Sequence, residues 1–272
     1  MNASAALSAE YSSIARDYAT QWSPVIRPMA LPLLHALSLE NARTVVDIGT
    51  GTGALLPDLR AAAPRARVIG IDRAEGMVHI ARDMDQPLVV VSDASELCIR
   101  DAAVDIAVLI FTLFHLPDPV ACLREVARTF KRDAQLGIVC WGIDPGVPGA
   151  KIWTEELDRA GAGPDPRDPS VVQVGRMNTP EKLTQLLKDA GFSDASVWSE
   201  KFSHRWTAED LLPFQLACGV ASRRLPHLDA ATRERCTSAV RDRLSLLRAD
   251  ELDYRPEVLF AVATADHRLP EA

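Results

Sequence analysis

Along the first 160 residues, short continuous apolar runs alternate with stretches whose apolar positions recur every three to four residues. A continuous run predicts a strand buried on both faces, and the longer spacing predicts a helix that covers it with one apolar stripe. Residues 44–48, 67–71, 88–92, 104–110 and 135–141 read as strands. Helical patterns fall between them at 54–63, 75–83 and 119–130, the last with Val120, Leu123, Val126, Ala127 and Phe130 on one face. This alternation builds a mostly parallel sheet covered on both sides, a doubly wound α/β fold.

The second half is less regular. Residues 144–149 and 161–169 are rich in proline and glycine and read as loops near a ligand, flanking a helical piece with Trp153 and Leu157. Asn178 stands three positions before Glu181, Pro180 falls in the first turn and Gly191 lies just past the end, so a helix carrying Leu183, Leu186, Leu187 and Ala190 is expected from an Asn178 cap. A strand is expected at 195–199 and another at 258–265. Between them, residues 207–249 read as two helices, the first interrupted by Pro213, the second with Val240, Leu244 and Leu247 on one face. This helical insertion before the last strand is a candidate lid. Residues 3–37 also read as helical, with Tyr11, Ile14 and Tyr18 on one face.

Composition narrows the class. The chain has 272 residues, 47% of them hydrophobic and 25% charged, enough to bury a full core in one domain. The division expected is an N-terminal helical cap over 1–40, a ligand-binding core over 41–142, and a substrate side over 143–272. The formal net charge is -7 and no basic cluster stands out, which argues against a nucleic-acid partner. Five cysteines, without C-x-x-C spacing and mostly in apolar runs, read as reduced core thiols and not as a metal site. No basic-then-apolar leader and no apolar stretch of roughly 20 residues is seen, so a cytoplasmic protein without a membrane partner is expected.

The most informative segment is Val45-Val46-Asp47-Ile48-Gly49-Thr50-Gly51-Thr52-Gly53, followed nineteen residues after its last glycine by Asp72 at the end of the next apolar run. A strand that runs into closely spaced glycines and then a helix brings bare backbone N–H groups up to a ligand, and a carboxylate one strand later can hold two ribose hydroxyls. A dinucleotide loop is spaced G-x-G-x-x-G. Here the spacing is G-x-G-x-G, position 54 is alanine, and Asp47 stands two residues before the first glycine, so an NAD-binding reading is disfavoured.

With these residues the chain resembles the class I S-adenosylmethionine-dependent methyltransferases. Residues 45–53 match the first motif of that family. Ile69-Gly70-Ile71-Asp72 with Glu75-Gly76-Met77 matches the second, and Ser92-Asp93-Ala94 the third. Val104-Asp105-Ile106 and Leu113-Phe114-His115-Leu116-Pro117-Asp118-Pro119 match the fourth strand and its exit, and Leu123-Arg124-Glu125 the helix after it. The likeness is close over residues 10–142 and loose beyond. One departure is the turn before the fifth strand, Lys131-Arg132-Asp133-Ala134-Gln135, where the family usually has proline and glycines.

The resemblance implies a seven-stranded sheet with its last strand antiparallel, and S-adenosylmethionine as cofactor. It places Gly49, Gly51 and Gly53 under the cofactor's amino acid and ribose, Asp72 on the ribose hydroxyls, and Asp47 near the ammonium. Asp93 and Ala94 would face the adenine, flanked by Arg73 and Met77. Asp47 and Asp93 could equally be strand-end caps, and Met77 a core residue. A sulfonium methyl is already a strong electrophile, so the protein's task is to align an acceptor and exclude water, with a base needed only if the acceptor loses a proton. His115 is the candidate base, with a packed structural histidine as the alternative. Tyr11, Tyr18 and Trp22 are candidates to fold over the cofactor, where aromatic faces favour positive charge. Trp153 and Trp206 are candidates for the acceptor pocket, together with Trp141, Phe214 and His204, while Trp198 reads better as core. Segments typical of nucleic-acid base methylation are absent, and so is a carboxylate cluster for a metal. A small-molecule acceptor is therefore expected, and the Leu113–Pro119 segment with Cys140-Trp141-Gly142 resembles enzymes that decorate bacterial natural products. The rivals are a cyclase or decarboxylase that retains the cofactor, and a silent cofactor-binding partner protein. Monomer and homodimer both remain open.

Overall fold

The computed structural model describes residues 2–265. The N-terminus forms helix α1 (Ala3–Asp17), a π-helical turn at Tyr18–Trp22, and α2 (Ser23–Ala36). Then follow β1 (Thr44–Ile48), α3 (Leu56–Ala62), β2 (Arg67–Asp72), α4 (Glu75–Asp83), β3 (Val89–Val91), β4 (Val104–Ile110), α5 (Pro119–Arg128) and β5 (Phe130–Trp141). The second half adds α6 (Ala150–Arg159), α7 (Pro180–Asp189), β6 (Asp194–Lys201), β7 (His204–Arg205), α8 (Ala208–Ala217), α9 (Val220–Arg224), α10 (Ala230–Leu244), β8 (Asp253–Tyr254) and β9 (Glu257–Thr264).

Seven strands form one sheet in the order β3-β2-β1-β4-β5-β9-β6, and β7 pairs with β8 in a separate two-stranded ribbon. Strands β1 to β5 are parallel, and β9 runs antiparallel between β5 and β6. The doubly wound sheet and its antiparallel last strand are thus as expected. The central strands β1 and β4 are apolar and buried because helices cover both faces, with Val45, Val46, Val104, Val108 and Leu109 at the centre of the core. Chain order reverses between β1 and β4, which opens a crevice beyond their carboxyl ends.

Several boundaries differ from the sequence reading. Strand β5 begins at Phe130, and the expected turn at 131–135 is absorbed into it as a bulge. Val104 pairs with Phe130 but Ile106 with Gln135, and Asp133 takes φ +62° to accommodate the extra residues. The cap of α7 is Thr179, whose hydroxyl accepts from the Lys182 N–H, while Asn178 accepts from the Lys182 ammonium at 2.9 Å. The insertion holds three helices, not two, because the chain breaks at Cys218–Gly219 between α8 and α9. Pro213 lies inside α8.

Helix α1 rests on α4 through a small apolar cluster of Ala15, Ala74, Met77 and Ile80, separate from the main core and joined by Tyr11 and Tyr18. The Gly76 N–H donates to Ser12 Oγ at 3.1 Å and ties the two helices together. Among the described residues the cysteines are free, and no helix is long and apolar enough to cross a membrane.

Candidate functional site

The glycine turn after β1 forms the floor of a cavity at the crevice. Gly49 takes φ +77°, and a Cβ there would lie 2.3 Å from the Thr112 side chain. Gly51 takes φ +56°, yet a Cβ there would meet nothing within 4 Å. The left-handed backbone requires glycine at both positions, but only Gly51 has its missing side chain replaced by open space. Gly53 stands differently: its Cβ would meet Gln86, Leu56 and Ala81, so it packs inward and not towards the cavity.

Asp72 closes the end of β2. One carboxylate oxygen accepts from the Gly51 N–H at 2.8 Å and the other from the Ala74 N–H at 2.8 Å, while burial raises its pKa. This locks the acid against the glycine turn. Asp47, 2% exposed, accepts from the Thr50 hydroxyl at 2.8 Å through Oδ2, and its Oδ1 has no partner. Burial pushes its pKa up to about 7 against the pull of the Thr50 bond. With Gly49 and Gly51 it lines a side chamber of the crevice. An orphaned buried carboxylate oxygen is costly and is a place where a cationic group would be welcome.

On the other side lie Arg73, Met77, Asp93 and Ala94. Asp93 is engaged on both oxygens, one by Arg73 at 2.9 Å and the other by Ser95 N–H and hydroxyl at 2.9 and 2.8 Å. Burial opposes its ionisation, but these bonds prevail and hold its pKa below the usual range.

A second cavity of about 290 Å³ adjoins the first and shares Tyr11, Tyr18, Phe111 and His115 with it. Its walls are aromatic: Trp22 lies 5.0 Å from Phe214 and 6.2 Å from Trp141, and Phe111 lies 4.3 Å from Trp141, ring centre to ring centre. Phe111 holds φ +52° directly after β4, a strained backbone at a residue that lines both cavities. His115, in a short 3₁₀ turn after β4, has Nδ1 2.8 Å from the Val171 carbonyl oxygen and Nε2 3.0 Å from Tyr11 Oη. Burial pushes the His115 pKa down to about 4 and the Tyr11 pKa up to about 12. At one end stand Arg167 and Arg223, both paired with Asp165 at 2.9 Å, with Glu10 at 3.6 Å from Arg223.

Of the aromatic candidates, Tyr11, Tyr18, Trp22, Trp141 and Phe214 line the second cavity. Trp153 and Trp206 do not. Trp153 is fully buried in the main core, and Trp206, 4% exposed, packs behind the wall with its ring 4.7 Å from Phe214. An indole within an apolar stripe serves a core as well as a pocket, and the core won at both positions. Trp198, partly buried on the edge strand, stacks on Phe260 at 5.3 Å and packs against the core, and His204 packs edge-on against Trp206. Sequence reasoning missed Phe111, Thr112, Arg167, Arg223 and Glu10. Arg167 carried a signal, since it lies in the proline-rich loop expected near a ligand. Among the described residues no group of three His, Cys, Asp or Glu side chains could hold a metal.

Residues 46–138 match the family model described as "Methyltransferase domain". The chain is 34% identical over 174 residues to the malonyl-[acyl-carrier protein] O-methyltransferase of Geobacter sulfurreducens, covering 62% of each chain. It is 37% identical over 117 residues to the demethylmenaquinone methyltransferase of Corynebacterium kroppenstedtii, covering 43% of this chain and 49% of that one. The chain thus spans about half to three fifths of the length of these curated relatives. Among solved structures, the YcgJ protein of Bacillus subtilis superposes with a TM-score of 0.55 at 17% identity, over 87% of this chain and 98% of that one, a likeness of fold.

Proposed function

We propose that the chain is a class I S-adenosylmethionine-dependent methyltransferase and that it transfers the cofactor's methyl group to a small-molecule acceptor held in the second cavity. The observation that carries this reading is the pair of cavities joined through Tyr11, Tyr18, Phe111 and His115. One cavity, with the side chamber beside Asp47, carries the groups a nucleoside with a cationic amino-acid tail requires, and the other is a largely aromatic chamber on the far side of the shared residues.

The residues fit the cofactor on chemical grounds. The orphaned Oδ1 of Asp47 suits the ammonium, and the open space over Gly51 suits the chain that passes across the turn. Asp72, already fixed by two backbone N–H groups, is oriented to accept from ribose hydroxyls. Met77 offers an apolar face and Ala94 a backbone N–H for the adenine. Asp93, engaged by Arg73 and Ser95, would act there mainly by holding Arg73 in place. Gly53 contributes by close packing beneath the turn. When bound, the cofactor supplies a methyl group that is already electrophilic. The chain's own work is to seat the acceptor, exclude water under α1, and accept a proton where the acceptor has one to lose, a role we give to His115.

The modest size of the second cavity, about 290 Å³, and the net charge of -7 favour a small metabolite over a nucleic-acid strand. We place the acceptor among secondary metabolites of a cytoplasmic pathway, with one functional unit divided into cap, cofactor core and substrate side as the sequence suggested. The test is to incubate protein with methyl-labelled cofactor and cell extract and to look for a new labelled product by mass. Wild-type protein should give one and Asp72→Ala should not. A product of altered mass without the label would favour the cofactor-retaining cyclase or decarboxylase instead.

A further inference from the structure

The two contacts of His115 fix its proton. A carbonyl oxygen only accepts, so Nδ1, 2.8 Å from Val171 O, carries the hydrogen. The neutral ring then presents the Nε2 lone pair to Tyr11 Oη at 3.0 Å, and the Tyr11 hydroxyl must be the donor. Tyr11 therefore directs its one proton towards His115 and keeps the lone pairs of Oη free to accept. Both residues line both cavities, so this oxygen stands where a group in the second cavity meets one bound in the first. Around that junction the second cavity is lined by Trp22, Phe114, Trp141 and Phe214, whose ring faces suit a flat aromatic partner, with Glu10, Asp144, Arg167 and Arg223 supplying polar lining.

We propose that the acceptor is a phenol: its ring lies among these aromatic walls, and its hydroxyl donates to Tyr11 Oη, which passes its own proton on to His115 Nε2. The inference rests on the methyl-transfer reading above. The balance is simple. The acceptor O–H bond breaks and an O–CH₃ bond forms, the methyl being drawn from a sulfonium that becomes a neutral thioether. The proton ends on His115, which becomes an imidazolium still bonded to Val171. One positive charge is present before and after, so the transfer leaves the net charge of the site unchanged. The charged groups around the pair are Arg167, Arg223, Glu10 and Asp165 on one side and Asp72 on the other. Arg167 and burial both disfavour the imidazolium and make His115 a weak base. A weak base suits a phenol far better than an aliphatic hydroxyl, whose proton is held much more tightly.

The test uses the full chain with methyl-labelled S-adenosylmethionine and three probes of nearly one outline: naphthol, naphthylamine and decahydronaphthol. Label on the naphthol oxygen in preference to the other two is expected. A fourth probe, nitronaphthol, is ionised beforehand and has no proton to relay. Tyr11→Phe should depress the naphthol rate about a hundredfold more than the nitronaphthol rate, and His115→Gln should do the same, in keeping with the usual size of general-base catalysis. A purely structural role would lower both rates alike. Independently of turnover, nitrogen NMR of cofactor-free protein should show His115 protonated at Nδ1, with the Nε2 resonance moving in Tyr11→Phe. Label on the amine or the alcohol instead, label on none of the probes while S-adenosylhomocysteine still binds, or equal losses on both naphthols would overturn the proposal. Failure of S-adenosylhomocysteine to bind would instead remove the methyl-transfer reading beneath it.

Discussion

Replacing Asp47 by asparagine should make the cofactor-free protein's stability less dependent on pH and at the same time weaken its grip on the cofactor. The folded-state pKa of Asp47 is raised to about 7 from an ordinary 3.8, a gap of about three pH units. At about 1.36 kcal/mol per unit this corresponds to on the order of 4 kcal/mol. The sign follows from the direction. A carboxyl raised by burial keeps its full contribution to stability below pH 4, loses it as the pH rises to about 7, and changes nothing above that. Asparagine can still accept the Thr50 hydroxyl but places an unpaired N–H₂ where Oδ1 now stands, a cost of about 1–3 kcal/mol that does not vary with pH. The difference between wild type and Asp47→Asn, measured by urea unfolding from pH 4 to 8, should therefore slope against the wild type by roughly that 4 kcal/mol and flatten above pH 7. In the same series, S-adenosylhomocysteine should bind wild type more tightly at pH 8 than at pH 5.5. It should bind the variant about tenfold or more weakly at pH 8, in keeping with a lost charged hydrogen bond. Parallel unfolding curves would refute the burial-raised pKa of Asp47, and equal affinities would refute the assignment of its orphaned oxygen to a cationic ligand group.

Other consequences can be checked with the same methods. Gly51→Ala should cost only about 1–2 kcal/mol in urea unfolding, from its left-handed backbone, while lowering cofactor affinity; Gly49→Ala, whose Cβ would strike Thr112, should cost clearly more stability. Equal stability losses would contradict the geometry. His115, neutral when folded with a pKa near 4 against an ordinary 6.5, supports stability above pH 6.5 that is lost as the pH falls to about 4. His115→Gln should remove on the order of 3 kcal/mol of that acid dependence, read from acid unfolding midpoints. Trp153→Ala should cost about 3–5 kcal/mol of stability and leave calorimetric cofactor affinity of the folded protein near wild type, since the indole is fully buried away from both cavities.

The parallel half of the fold was readable because its strands are buried on both faces and so appear as unbroken apolar runs. Strands β7 and β8 have two residues each and leave no pattern to read. The bulge in β5 shows only when its register against β4 is known, and the break between α8 and α9 falls inside what reads as one helical stretch. The cofactor side of the site was legible from a local motif, because a turn of glycines and a carboxylate at a strand end are neighbours in sequence or one strand apart. The second cavity was not. Its polar end draws Glu10, Arg167 and Arg223 from three distant segments, and the Tyr11 to His115 bond spans 104 positions. Trp153 and Trp206 misled for the opposite reason: their local setting fits a pocket, and only packing places them in the core.

The arrangement of Asp47, Gly51 and Asp72 requires that the crevice above the glycine turn take an adenosyl sulfonium cofactor. Calorimetric titration of the purified protein with S-adenosylmethionine, S-adenosylhomocysteine and NAD in parallel tests it most directly. Saturable micromolar binding of the two adenosyl ligands, with no heat from NAD, is the result expected; binding of NAD alone, or of none of the three, would contradict it.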